Sequence, residues 1–174
     1  MAEKKLVIAR EAIAGRVKEL GSRITADYQG RQLLVVGILN GAFIFMADLI
    51  REIDLPLEID FVRVKSYGAG SSSSGTLNFT KDVEIPMAGK DLLLVEDIID
   101  TGLTIANVKE IFAAKNPLSI KVCALIDKKE RRKIPIVADY VGFEIEEGFL
   151  VGYGLDFAEK HRHYHEVYHL LNCD

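Results

Sequence analysis

Apolar positions along the chain fall into two kinds of pattern. Ile13, Val17, Leu20 and Ile24 recur at helical spacing and predict a helix over 6–28 with one buried stripe. Leu33-Leu34-Val35-Val36-Gly37-Ile38-Leu39 is an unbroken apolar run with β-branched members, the pattern of a strand covered on both faces. Asn40-Gly41 interrupts it, and a helix is predicted over 42–52. Further strands are predicted at 59–64, where polar and apolar residues alternate, and at the fully apolar 92–95. A helix over 104–114 ends near Asn116-Pro117, and strands follow at 120–126 and 140–145. Strands alternating with helices predict an α/β fold with a central, mainly parallel sheet flanked by helices on both faces.

Composition narrows this picture. The chain has 174 residues, 49% of them apolar, which suits one compact domain with one core. No repeat or linker divides it. Two cysteines are too few for a disulfide framework. Cys123 sits in an apolar run and reads as core, whereas Cys173, beside the C-terminus, reads as a free thiol. There is no signal-peptide core, and no apolar run approaches the roughly eighteen residues of a membrane span, so the expected compartment is a reducing cytoplasm. A net charge of −4 argues against broad nucleic-acid binding. The basic run Lys128-Lys129-Glu130-Arg131-Arg132-Lys133 is read as a solvated loop, Lys128 apart. Ser66-Tyr67-Gly68-Ala69-Gly70-Ser71-Ser72-Ser73-Ser74-Gly75 is too polar and glycine-rich for core. It suits an inert surface loop or an active-site lid, and the composition favours the lid.

The chemistry concentrates in Leu92-Leu93-Leu94-Val95-Glu96-Asp97-Ile98-Ile99-Asp100-Thr101-Gly102-Leu103-Thr104. A buried strand ends in two acids; a third acid and a Thr-Gly turn follow, then a helix begins. Ligands of open α/β sheets bind beyond the carboxyl ends of strands. Amides at a helix start lack intrahelical partners and, with the helix dipole, suit a phosphate. Thr101 and Thr104 add hydroxyl donors. Glu96 and Asp97 suit ribose hydroxyls or a hydrated Mg²⁺. Other readings fit less well. Asp100-Thr101-Gly102 spells the aspartic-protease triplet, but that chemistry needs two such carboxylates in an all-β setting. A phospho-receiver needs a phosphorylatable Asp ending another strand, and 33–39 ends in Asn40-Gly41. Helix capping alone accounts for Asp100 or Thr101 but not for the acid pair.

Val95-Glu96-Asp97-Ile98-Ile99-Asp100-Thr101-Gly102 resembles the phosphoribosyl diphosphate (PRPP) signature of type I phosphoribosyltransferases, and its Ile98-Ile99 pair is the form of their hypoxanthine (6-oxopurine) branch. The resemblance covers nearly the whole chain. Leu39-Asn40-Gly41 resembles the pyrophosphate loop, Lys65-Ser66-Tyr67 the start of the mobile loop, and 141–156 the purine-binding segment. Asn40 stands where the family usually has Lys.

This resemblance implies the family's fold, with a small hood built from parts of the N-terminus and 143–174 and a flexible lid at about 66–75. It implies a purine salvage enzyme that transfers phosphoribosyl from PRPP to hypoxanthine and also guanine, giving IMP or GMP and pyrophosphate through an oxocarbenium-like transition state. Glu96 and Asp97 would hold the ribose hydroxyls. Asp100, Thr101, Gly102, Leu103 and Thr104 would hold the 5′-phosphate, and Asp100 would also be the general base. Leu39, Asn40, Gly41 and Arg162 would hold pyrophosphate. Lys128 would donate to the purine 6-oxo group, Phe149 would stack on the base, and Leu150 and Asp156 would complete its pocket. Mg²⁺ would be held by Glu96, Asp97 and Asp156, and Ser66 and Tyr67 would close the lid. A homodimer or homotetramer is implied, with Arg63 and Lys65 as interface candidates. The competing class is a PRPP-sensing regulator that binds nucleic acid, which only 128–133 would favour. His161, His163, His165 and His169 would present a metal face if they lay on a strand, but Arg162 interrupts them and no Cys or acid completes a site. They are read as a partly packed tail.

Overall fold

The computed structural model describes residues 3–65 and 78–171. In chain order its elements are β1 (Lys4–Ile8), α1 (Arg10–Asp27), β2 (Leu33–Leu39), α2 (Phe43–Arg51), β3 (Leu57–Lys65), β4 (Asn78–Lys81), β5 (Asp91–Ile99), α3 (Leu103–Ala113), β6 (Ser119–Lys128), β7 (Tyr140–Ile145), β8 (Leu150–Val151) and β9 (Val167–Leu170).

The unbroken apolar runs become the two central strands. β2 pairs in parallel with β5, Leu34 opposite Leu92 and Val36 opposite Leu94. Successive side chains of a strand point to opposite faces, and here both faces are covered. Leu34, Val36, Ile38, Leu92 and Leu94 pack with Ile105, Val108 and Phe112 of α3. Val35, Leu93 and Val95 pack with Ile13, Val17, Leu20 and Ile24 of α1 and Phe45, Met46 and Leu49 of α2. Full burial stabilises each such side chain by roughly 1.5–3 kcal/mol, so the two layers hold the sheet between them. Cys123 is part of this core, fully buried on β6.

The sheet order is β4-β3-β2-β5-β6-β7. All pairings are parallel except that of β4, which runs antiparallel to β3. From β2 the chain moves outward to β3 and β4, then returns to place β5 on the other side of β2. Strand order therefore reverses between β2 and β5, and the carboxyl ends of those strands open a crevice where ligands of such sheets bind.

Three expectations are corrected. The first helix begins at Arg10, not residue 6, because residues 4–8 form β1, paired antiparallel with β9 (Lys4 opposite Leu170). With β8 these strands make a separate three-stranded sheet, the hood. The helical stripe starts only at Ile13, and Leu6-Val7-Ile8 is a contiguous run suited to a strand. The strand expected at 92–95 continues through both acids to Ile99, because Glu96, Ile98 and Ile99 remain paired with Ala124, Ile126 and Asp127 of β6. β6 likewise runs to Lys128.

Asp60, nearly buried on β3, fastens the loop beyond β4 to the sheet. Its carboxylate accepts from the amides of Phe61 (2.7 Å), Glu84 (2.7 Å) and Ile85 (3.1 Å) and from Lys81 Nζ (3.0 Å). Burial pushes its pKa up, but the Phe61 amide, the Lys81 ammonium and the other amides outweigh it and bring the group down to about 2. A carboxylate depressed on folding stabilises the fold above its unfolded pKa of about 4 and loses that contribution as pH falls through the folded value. Asp60→Asn is therefore expected to lower stability at pH 7 by on the order of 1–2 kcal/mol. The gap from the wild type should narrow between pH 5 and pH 2 in urea titrations; a gap independent of pH would contradict this account.

Candidate active site at the strand-order reversal

The crevice is built first by close backbone approach. Gly41 lies in the turn between β2 and α2. A Cβ there would fall 1.9 Å from Asp97 Oδ2, and one on Gly154 would fall 2.1 Å from the Gly41 carbonyl oxygen. Both glycines are needed because no side chain fits, and Gly154 also has φ of +103°. The turn after β2 is thus sandwiched between the β5 acids and the 152–155 segment. The Leu39–Asn40 peptide in this turn is cis. Arg162 joins the same junction: Nη1 donates to the Gly154 carbonyl (2.8 Å), while the Gly154 amide donates to the Arg162 carbonyl (2.9 Å). Arg162 Nη2 also pairs with Asp156 Oδ1 (3.0 Å) and Glu159 Oε2 (3.1 Å), and Asp156 Oδ2 accepts from the Glu159 amide (2.9 Å).

Glu96 and Asp97 are both buried. The Asp97 amide donates to Glu96 Oε1 (3.2 Å) and the Ile98 amide to Asp97 Oδ1 (2.8 Å). Burial, and then the neighbouring Asp97 charge, push Glu96 well above the usual carboxylate range. Burial raises Asp97 too, while hydrogen bonds and the positive charge of Arg162 pull against that rise. Two packed carboxyl groups that each accept from one backbone amide suit hydroxyl groups or a hydrated cation.

Beyond the acids, Gly102 caps α3 in the left-handed region at φ +83°. Thr101 Oγ1 accepts from the Leu103 amide (3.3 Å). The first intrahelical bond runs from the Ala106 amide to the Gly102 carbonyl (3.0 Å), leaving the preceding amides without intrahelical acceptors. A small cavity of about 90 Å³ is lined by Glu96, Ile98, Ile99, Asp100, Thr101, Gly102, Thr104 and Ile105. Glu96 and the helix tip thus face one space, while Asp97 packs against the turn at Gly41. Asp100 Oδ2 lies 3.4 Å from Arg131 Nη1, and its buried Oδ1 has no hydrogen-bond partner.

On the β6 side, Lys128 ends the strand one residue past the rung that pairs Asp127 with Ile99. Its side chain is buried and its ammonium meets Glu130 Oε2 at 3.1 Å. The same oxygen accepts from the Gly148 amide (3.3 Å), next to Phe149. Phe149 is 42% exposed and packs edge-to-face on Phe157, so one large aromatic face is open to a planar partner. Leu150 starts β8 and is buried.

One reading of the sequence changes. The basic run is not simply solvated: Lys129, Arg131 and Lys133 are exposed, but Lys128 is buried and Arg132 turns inward, only 15% exposed, against the loop after β5. A run of like charges hides which member points in. The histidine alternation arises in a turn, with β9 beginning only at Val167. His161 Nδ1 shares a hydrogen bond with Tyr164 (2.9 Å), and His165 lines a separate cavity of about 420 Å³ between α1 and α2. Ser66 and Tyr67 lie outside the described residues, as does Cys173. Among the described residues, no helix is long and apolar enough to cross a membrane.

Residues 7–158 match the family model described as phosphoribosyl transferase domain. The chain is 48% identical over 165 residues to a hypoxanthine-guanine phosphoribosyltransferase of Aquifex aeolicus, covering 94% of this chain and 93% of that one. It is 44% identical over 160 residues to a hypoxanthine phosphoribosyltransferase of Haemophilus influenzae, covering 90% and 89%. A crystal structure of a hypoxanthine-guanine phosphoribosyltransferase from Bacillus anthracis, with a HEPES molecule in its active site, superposes with a TM-score of 0.91 at 40% identity, covering 98% and 99% of the two chains.

The packing at Gly154 yields a direct expectation. Gly154→Ala combines a positive φ with a clash against the Gly41 carbonyl, and should cost about 1–3 kcal/mol in urea unfolding. An alanine variant as stable as the wild type would show that the two segments do not meet as described.

Proposed function

The chain belongs to the phosphoribosyl transferase family, and on that premise we propose that it transfers the phosphoribosyl group of PRPP to hypoxanthine and guanine, forming IMP or GMP and pyrophosphate in purine salvage. The observation that carries this reading is the crevice in which Glu96, Asp100 and the start of α3 line one small cavity while Asp97, the next residue along β5 from Glu96, packs against the turn at Gly41. A sugar carrying phosphates at both ends needs donors and acceptors in this arrangement.

In this reading the helix tip, with the amides and hydroxyls of 101–104, receives the 5′-phosphate. The ribose hydroxyls donate to Glu96 and Asp97, adding to the backbone amide that each carboxyl already accepts from. The backbone of Leu39, Asn40 and Gly41 and the guanidinium of Arg162 face the pyrophosphate. A backbone contact leaves position 40 tolerant of its side chain, which is how Asn40 is accommodated.

Among the described residues, no group of three or more His, Cys, Asp and Glu side chains could hold a metal ion. In this reading Glu96, Asp97 and Asp156 would reach a Mg²⁺ through its own water ligands, which Mg²⁺ keeps when it travels with a substrate phosphate. Mg²⁺ when bound neutralises charge on the leaving pyrophosphate. As the C1–O bond breaks, positive charge grows on the ribose ring beside the carboxylates of 96 and 97, and preorganised charge of this kind lowers the barrier without reorganisation.

The base lies between Phe149 and the tip of β6. An ammonium has three donors and no acceptor, so Lys128 favours an oxo over an amino group at the purine 6-position. Asp100 Oδ1, buried without a partner, takes up the purine imidazole proton. The enzyme works as a dimer or tetramer with Arg63 and Lys65 near the contact.

Nucleotide formation from PRPP and Mg²⁺, followed by ultraviolet absorbance with each purine in turn, tests the reading. IMP and GMP should form and AMP should not; absence of product with every base overturns it. Asp100→Asn cannot accept the proton and should lower kcat by roughly 10²–10⁴-fold. An unchanged kcat would remove Asp100 from the role of base.

A further inference from the structure

Arg132 makes five hydrogen bonds, and none goes to solvent-exposed side chains. Nε donates to the Asp100 carbonyl (2.8 Å) and Nη1 to the Ile136 carbonyl (2.8 Å). Nη2 donates to the carbonyls of Ile99 (3.0 Å) and Lys128 (3.0 Å) and meets Asp127 Oδ1. The Arg132 and Asp127 side chains are 15% and 10% exposed.

The location explains the need. Ile99 and Asp127 form the last paired rung between β5 and β6. Past that rung β5 and β6 are no longer paired, and the carbonyls of 99, 100 and 128 all accept from Arg132. A buried carbonyl requires a donor, and only a guanidinium offers five N–H groups in one plane. Asp127 balances its charge. The following residues tighten the same grip: the amides of Lys133 and Ile134 both donate to the Thr101 carbonyl (2.9 and 3.1 Å). A Cβ on Gly102 would lie 2.7 Å from the Ile134 carbonyl and 3.3 Å from Arg132 Cδ.

We propose that Arg132 is a positioning residue that fastens the loop after β5 to the tip of β6, so that the sugar-phosphate and base halves of the site are set as one unit. The inference rests on the proposed transferase function and adds to it. Arg132 touches no substrate. It holds the backbone of Asp100 and that of Lys128, the residues to which the proposed reaction gives the proton transfer and the purine 6-position. Displacing either group by about 1 Å is enough to cost roughly 10²-fold in rate.

The test is steady-state kinetics of Arg132→Lys and Arg132→Ala beside Lys128→Ala, with melting curves for each. Arg132→Lys keeps the charge and loses the fork. It should melt close to the wild type, lose about 10-fold or more in kcat, and raise KM for PRPP and for hypoxanthine together. Lys128→Ala should raise KM for the base alone. Added ethylguanidinium should restore part of the turnover of Arg132→Ala, if that variant folds, but not that of Lys128→Ala. Wild-type kcat and KM values in Arg132→Lys overturn the proposal, as does a change in only one of its two KM values. A wild type that forms no nucleotide overturns the transferase reading as well, which distinguishes the two failures.

Discussion

The reversal of strand order between β2 and β5 is the constraint on which the rest of the molecule depends. It sets two parallel strands side by side at the centre of the sheet, both apolar enough to be covered by helices on each face, and leaves their carboxyl ends adjacent with no helix between them. Everything chemically active then collects at one edge because the chain must turn there. Gly41 accepts the approach of Asp97 because it carries no side chain, and Gly154 approaches the Gly41 carbonyl because it carries none either. Residues more than a hundred positions apart, such as Gly41 and Arg162, are brought to one junction by this backbone contact and not by any salt bridge of their own.

That placement has an electrostatic consequence. Continuing β5 through Glu96 and Asp97 buries two carboxylates side by side in the sheet. In isolation this is unfavourable: burial and mutual repulsion raise Glu96. Buried acids short of donors are costly to the fold and become useful when a ligand supplies hydroxyl groups and positive charge. The same holds at the start of α3, where amides without intrahelical partners await an anion. Glu96 and the start of α3 line one cavity, and in the proposed reading a ribose phosphate meets both.

The parts of this arrangement legible in the sequence were the local ones. β2 and β7 matched their expected limits because an unbroken or alternating apolar run states its own burial, and α2 and α3 differed by a residue at each end. The motif from Val95 to Thr104 stood out because the acids, the turn and the helix start are contiguous. What the sequence hid was set by distant partners. β1 is mostly exposed and became a strand by pairing with β9, some 160 residues away. The close approach of Gly154 to Gly41 has no signature in either segment. Arg132 was lost among five neighbouring charges, since which member turns inward depends on the carbonyls left open by the end of the β5–β6 ladder. A Gly at 102 followed by a helix, facing an arginine after a strand, was the only available hint.

The central claim is that the carboxylates of 96 and 97 and the amides at 101–104 surround one sugar phosphate. A crystal structure of the protein with bound IMP tests it most directly. The account predicts the 5′-phosphate within hydrogen-bonding distance of the 101–104 amides and the ribose hydroxyls on Glu96 and Asp97. A nucleotide whose phosphate lies elsewhere, or whose ribose leaves both acids without a hydroxyl partner, would contradict it.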